Sequence, residues 1–119
     1  MKLWLDDLRP APEGYCWVKT VDEAIFEILY CERECDWYWK CYFLDGVSAE
    51  QTVNLLKTYT ITEISCDNDL GEKEPEGYKL LDWLEATKRN YPIRIHSANP
   101  VARERMQAII RRNNWKEIK

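Results

Sequence analysis

Residues 63–71 have the sequence EISCDNDLG, in which a short strand pattern leads into a polar turn. Residues 63–66 fit a strand, since they include a β-branched residue and are followed at once by turn formers. Residues 67–69 are Asp, Asn and Asp. In an open parallel sheet, ligands bind just beyond the carboxyl ends of the strands. The segment therefore predicts a strand that ends at a candidate functional site.

Two other strand patterns end in the same way. Residues 2–5 form a short apolar run that stops at Asp6 and Asp7. Residues 92–96 alternate between apolar and polar side chains and are followed by Ser97. If these strands are parallel neighbours of residues 63–66, their polar ends share one edge of the sheet.

Helical patterns separate the strands. Residues 20–23 (TVDE) form a capping box that opens a first helix, which we expect to end near Cys35. Further helices are predicted at 48–59, 78–88 and 103–112, and further strands at 15–19, 38–44 and 115–119. This alternation predicts a three-layer α/β fold with a short, mainly parallel sheet.

The bulk composition indicates one domain that spans residues 1–119. Hydrophobic residues make up 45% of the chain, which is enough for one core. The formal net charge of −4 argues against an extended nucleic-acid surface, but it leaves room for a small nucleotide or another phosphate-containing molecule. No apolar run approaches the roughly 18 residues of a membrane span or resembles a signal peptide. The five cysteines are odd in number and fit reduced thiols, so we expect a cytoplasmic protein.

The acidic strand ends predict a metal site. Asp6, Asp7, Asp67 and Asp69 would converge at the sheet edge, where unpaired carboxylates repel one another. A divalent cation relieves this repulsion, and carboxylate oxygens suit Mg²⁺, Mn²⁺ or Ca²⁺. The alternative is that these residues only form turns and helix caps.

Other polar residues near the strand ends are candidates for phosphate chemistry. His96 stands beside Ser97 and, near Asp67, could act as a general acid or base; the alternative is a hydrogen-bonded structural histidine. Arg9 and Arg103 could each bind a phosphate bidentately, unless they are solvated surface residues.

Five segments carry a family resemblance: residues 3–10 (LWLDDLRP), 18–25 (VKTVDEAI), 64–71 (ISCDNDLG), 93–100 (IRIHSANP) and 103–106 (RERM). Together they resemble the cyclic-phosphate processing receiver-like domains, which are relatives of the response-regulator receiver fold. The resemblance implies a receiver-like, flavodoxin-like domain, and it covers most of the chain apart from about residues 32–52, which look like an insertion.

The resemblance also implies roles for single residues. Asp6 and Asp7 match the acidic pair that holds Mg²⁺ in receivers, and Asp67 matches the aspartate that accepts phosphate there. Ser97 matches the hydroxyl residue after the fourth strand. The family usually has a histidine between the two aspartates that follow the third strand, where this chain has Asn68.

Three functions remain open from the sequence. The first is metal-dependent phosphoester chemistry, such as a phosphodiesterase that processes a cyclic phosphate on a nucleotide or RNA end, with Asp67, His96 and Ser97 as catalytic residues. The second is a non-catalytic interaction module, and the third is a signalling receiver phosphorylated on Asp67. For the interaction module, the aromatic segment 36–44 predicts a homodimer with some of these side chains at the contact: Trp37, Trp39, Tyr42 and Phe43. The alternative is that the segment packs against the core and buries them.

Overall fold

The computed structural model describes the backbone of all 119 residues and every side chain except that of Asp45. Short strands alternate with helices along the chain. The strands are β1 (Lys2–Leu5), β2 (Tyr15–Val18), β3 (Glu63–Cys66), β4 (Ile93–Ile95) and β5 (Glu117–Ile118). The helices are α1 (Val21–Asp45), α2 (Ala49–Tyr59), α3 (Tyr78–Ala86) and α4 (Pro100–Arg112).

The strands form a parallel sheet in the order β2-β1-β3-β4-β5. This strand order is that of flavodoxin-like proteins. The register places Leu5 beside Cys66 and Cys66 beside Ile95, so β1, β3 and β4 end side by side. The predicted α/β class with a parallel sheet is therefore confirmed.

One face of the sheet carries the hydrophobic core. Its fully buried residues include Leu3, Ile64 and Ile93, which pack with buried side chains from α1, α3 and α4. The connections β2 to β3, β3 to β4 and β4 to β5 all run in the same direction across the sheet. Because such connections are right-handed, their helices lie on the same face. Helix α2 packs on α1.

The other face of the sheet carries polar and aromatic side chains, among them Trp4, Ser65 and Arg94, which lie in register. The connection from β1 to β2 would cross this face, but its prolines, Pro10 and Pro12, exclude a helix there. On the core face of the sheet, α3 contacts both α1 and α4.

The strand predicted at residues 38–44 is wrong, and so is the helix end expected near Cys35, because α1 continues to Asp45. Tyr38 stacks on Tyr59 of α2, and Lys40 forms an i, i+4 ion pair with Asp36. Tryptophan and tyrosine favour strands by propensity, but packing against α2 decides the local structure here.

Two smaller expectations concern the whole chain. Within the described residues, no helix has both the length and the apolar character that a membrane crossing requires. The five cysteines carry free thiols. Burial raises the pKa of the Cys31 and Cys66 thiols to about 12, so both behave as inert core residues.

Candidate functional site

The backbone brings three polar segments to one edge of the sheet. The ladder hydrogen bonds continue past the strand ends, with the N–H of Asp67 donating to the Leu5 carbonyl and the N–H of His96 donating to the Cys66 carbonyl. The N–H of Asp6, the residue that follows β1, likewise donates to the Val18 carbonyl. The convergence expected from the sequence is therefore present.

Three carboxylates form the centre of this edge, and we call them the acidic trio: Asp6, Asp7 and Asp67. Each offers one oxygen atom, and these atoms lie within 4.8 Å of one another. Asp6 and Asp67 are buried and Asp7 is half-buried. Asp69, the fourth predicted ligand, is exposed and lies outside the trio, where its Oδ1 accepts from the Asn68 side chain at 3.4 Å. The trio presents the hard oxygen donors that Mg²⁺, Mn²⁺ and Ca²⁺ prefer.

Asp6 is the most constrained member of the trio. Its Oδ1 accepts from the backbone N–H groups of Leu8 and Arg9, both at 2.9 Å, and its Oδ2 faces the Arg9 and His96 side chains. Burial alone would raise the pKa of Asp6, but these donors together hold it below the usual value of 3.8. Asp6 is therefore a preformed anion at neutral pH.

Arg9 is a counter-ion built into the site. Its Nε lies 2.8 Å from Asp6 Oδ2 and its Nη2 lies 3.3 Å from Asp67 Oδ1. The same Nη2 donates to the His96 carbonyl at 3.0 Å. The Arg9 side chain is 52% exposed, so solvent reaches it within the site.

Asp67 has the opposite electrostatic environment from Asp6. Burial raises its pKa above the usual value, and the nearby Asp6 charge raises it further, while the Asn68 N–H and Arg9 act against both. The ionised form of Asp67 is therefore disfavoured, first by burial and then by the Asp6 charge.

His96 is held on both sides by hydrogen bonds. Its Nε2 lies 3.1 Å from Asp6 Oδ2 and its Nδ1 lies 2.8 Å from Ser65 Oγ. Because a carboxylate only accepts, Nε2 carries the proton in the neutral ring and Nδ1 accepts from the Ser65 hydroxyl. Trp4 stacks on the imidazole with ring centroids 3.9 Å apart. Burial lowers the pKa of His96, although Asp6 acts to raise it.

Sequence reasoning missed Ser65. The sequence feature that could have identified it is the alternation of residues 63–66 along the strand. This alternation places Glu63 and Ser65 on the face opposite Ile64 and Cys66. Since Ser65 lies in register with Arg94, two residues before His96, its hydroxyl faces the His96 side of the sheet.

Ser97 and Arg103 form hydrogen bonds with the turn that follows β4. Ser97 is 4% exposed, and its Oγ accepts from the Asn99 N–H. Arg103 donates from Nη1 to the carbonyls of Ile95 and Ser97, at 3.3 and 3.1 Å. Asn99 caps α4, which begins at Pro100 rather than at the predicted residue 103. These contacts fix the turn that follows β4.

Asn68 anchors the loop before α3. Its Oδ1 accepts from the Tyr78 N–H, and its Nδ2 donates to Glu76 at 3.1 Å. Gly77 donates to the Asn68 carbonyl at 2.8 Å and approaches the Asp67 backbone so closely that a Cβ atom there would lie 1.8 Å from the Asp67 oxygen. Asn68 therefore positions α3 against the end of β3.

The fold and the acidic edge define a receiver-like domain. The chain matches the family model described as "Cyclic-phosphate processing Receiver domain" over residues 1–46 and 32–112. It belongs to this family, as the sequence resemblance predicts. Comparisons with curated proteins and with solved structures found no match.

Proposed function

We propose that this domain carries out divalent-metal-dependent phosphoester chemistry on a cyclic phosphate. The observation that carries the proposal is the acidic trio, whose oxygens lie within 4.8 Å of one another at the carboxyl edge of the sheet. Membership of the cyclic-phosphate processing family supports the same substrate class.

Asp6, Asp7 and Asp67 would hold the cation. Two features favour a cation there: the donors are all oxygens, and burial together with the Asp6 charge raises the pKa of Asp67 despite the nearby Arg9. When bound, such a cation would polarise a phosphoryl oxygen and make a bound water more acidic.

The other residues of the edge would position the acidic trio and the substrate. His96, held by Ser65, fixes the orientation of the Asp6 carboxylate, and with both ring nitrogens engaged it serves better as a positioning residue than as a general acid. Arg9 can exchange its carboxylate partners for a substrate phosphate, because a guanidinium pairs with either anion.

A groove beside His96 is suited to an anionic substrate. It has a volume of about 480 Å³ and lies between β4, β5 and α4. Arg103 and Lys119 line it with the Glu117 carboxylate, and Arg94 also lines it, with its Nε paired to Glu63 at 2.9 Å. This positive groove would take the part of the substrate that projects from the acidic trio.

The activity test uses 2′,3′-cyclic AMP and 3′,5′-cyclic AMP as probes, each with Mg²⁺ or Mn²⁺. We expect hydrolysis of at least one probe that stops when EDTA is added and falls about 100-fold in Asp7→Asn, which changes the least buried carboxylate of the trio. Glu72 is an exposed carboxylate in the loop between β3 and α3. Glu72→Gln is therefore the matched control and should keep full activity.

Two results would contradict this function. The first is the absence of hydrolysis with either metal and either probe. The second is equal activity in wild type and Asp7→Asn. Phosphorylation of Asp67 by acetyl phosphate, in a protein that hydrolyses neither probe, would instead support the signalling receiver.

A further inference from the structure

Helix α1 exposes a stripe of apolar and basic side chains on the side away from the core. The stripe positions alternate steps of four and three residues, which keeps them on one face of a helix. Phe26, Trp37 and Leu44 are exposed by 69, 59 and 80%. We call this set the α1 stripe: Phe26, Tyr30, Arg33, Trp37, Lys40 and Leu44. Tyr30 is half-buried, with its ring edge-on to Tyr59 of α2 and the Arg33 guanidinium 5.6 Å from the ring centroid. Exposed large apolar side chains that share one helix face are typical of a contact site.

The amino-terminal half of the stripe already has the shape of a helix-packing site. Phe26, Leu29, Tyr30 and Arg33 line a surface groove of about 230 Å³. They occupy positions i, i+3, i+4 and i+7, the four-residue arrangement into which a side chain of a facing helix inserts in knobs-into-holes packing. The stripe therefore favours another helix as its partner.

The stripe is complementary to itself when two copies run antiparallel. Its spacing is the same from either end, so residue 26 lies opposite residue 44 of the second copy, 33 opposite 37, and 40 opposite 30. Each cation, Arg33 or Lys40, then meets an aromatic ring, Trp37 or Tyr30, which is a favourable cation–π pairing. A parallel pairing would instead place Arg33 on Arg33 and Lys40 on Lys40.

We propose that the protein forms an antiparallel homodimer through the α1 stripe. The stripe spans 18 residue steps, or about 27 Å of helix, and is independent of the acidic edge. Of the four aromatic residues that the sequence predicted at a dimer contact, Trp37 lies on the stripe. The other three pack their rings on one another: Trp39, Tyr42 and Phe43.

Sedimentation of the full chain at tens of micromolar tests the dimer. We expect a dimer for wild type and a dissociation constant raised about tenfold or more by Phe26→Glu or by Leu44→Lys, since each places a charge in an apolar contact. Both positions are exposed in the single chain, so the fold should survive. Val101→Glu changes an equally exposed apolar residue on α4 and should leave the dimer intact.

The double variant Phe26→Glu, Leu44→Lys decides the orientation. In an antiparallel dimer each introduced carboxylate faces an introduced ammonium group of the other copy, so dimerisation should return at low salt and weaken at high salt. A monomeric wild type, or single variants that dimerise as tightly as Val101→Glu, would overturn the proposal. A double variant that stays monomeric would overturn the antiparallel arrangement.

Discussion

Replacing Asp6 with alanine is expected to lower the free energy of unfolding by about 3 kcal/mol or more. The substitution leaves the N–H groups of Leu8 and Arg9 without their acceptor and removes the partner of the Arg9 and His96 side chains. Charge-assisted hydrogen bonds contribute roughly 1.5–3 kcal/mol each, and an unsatisfied buried donor adds its own cost. Urea unfolding at neutral pH in the presence of EDTA measures the loss.

The pH dependence of this loss distinguishes an anionic Asp6 from a merely polar one. Because the folded-state pKa of Asp6 is lowered, its contribution is present above the usual value of 3.8 and disappears as the pH falls through the lower folded value. The difference between wild type and Asp6→Ala should therefore shrink in acid. Glu72→Ala is the control, and an Asp6→Ala variant no less stable than this control would contradict the account.

Replacing Gly77 with alanine should destabilise the fold by roughly 3 kcal/mol, through steric overlap rather than backbone strain. The added Cβ would lie 1.8 Å from the Asp67 carbonyl oxygen and 2.9 Å from its carbon. To relieve this overlap, α3 must move away from the end of β3, which breaks the Gly77–Asn68 hydrogen bond. Urea unfolding measures the loss.

Gly14→Ala is the matched control for the Gly77 variant. Gly14 has a positive φ of 87° but open space around its Cβ position, so alanine there incurs only the conformational cost, about 1 kcal/mol. Equal losses in the two variants would show that the close approach of Gly77 to Asp67 is not the decisive contact.

The strand ends were predictable from the sequence because short β-prone runs stop abruptly at polar residues. Residues 63–66 were predicted with the observed bounds of β3, and the acidic residues after β1 and β3 do meet at one edge. A parallel sheet turns this local pattern into a spatial cluster, since its strands end at a shared edge.

Features set by side-chain partners elsewhere in the chain were not predictable. The length of α1 depends on packing against α2, as in the Tyr38–Tyr59 stack. The β-propensity of the aromatic residues in segment 38–44 favoured a strand there instead. The engagement of His96 by Ser65 joins residues 31 positions apart. Arg9 was predicted to bind phosphate, but its pairing with the acidic trio required knowing how the loop after β1 folds back.

Binding of Mn²⁺, followed by the loss of the free-ion signal in electron paramagnetic resonance, tests the central claim most directly. The account predicts one Mn²⁺ per chain in wild type, displaced by excess Mg²⁺ and weakened about tenfold or more in Asp67→Asn. That variant should keep its fold, because the amide oxygen can still accept from the Asn68 N–H. Glu72→Gln should bind as wild type does. A wild type that takes up no Mn²⁺ at millimolar concentration, or an Asp67→Asn variant that binds it equally well, would contradict a metal site at the acidic trio.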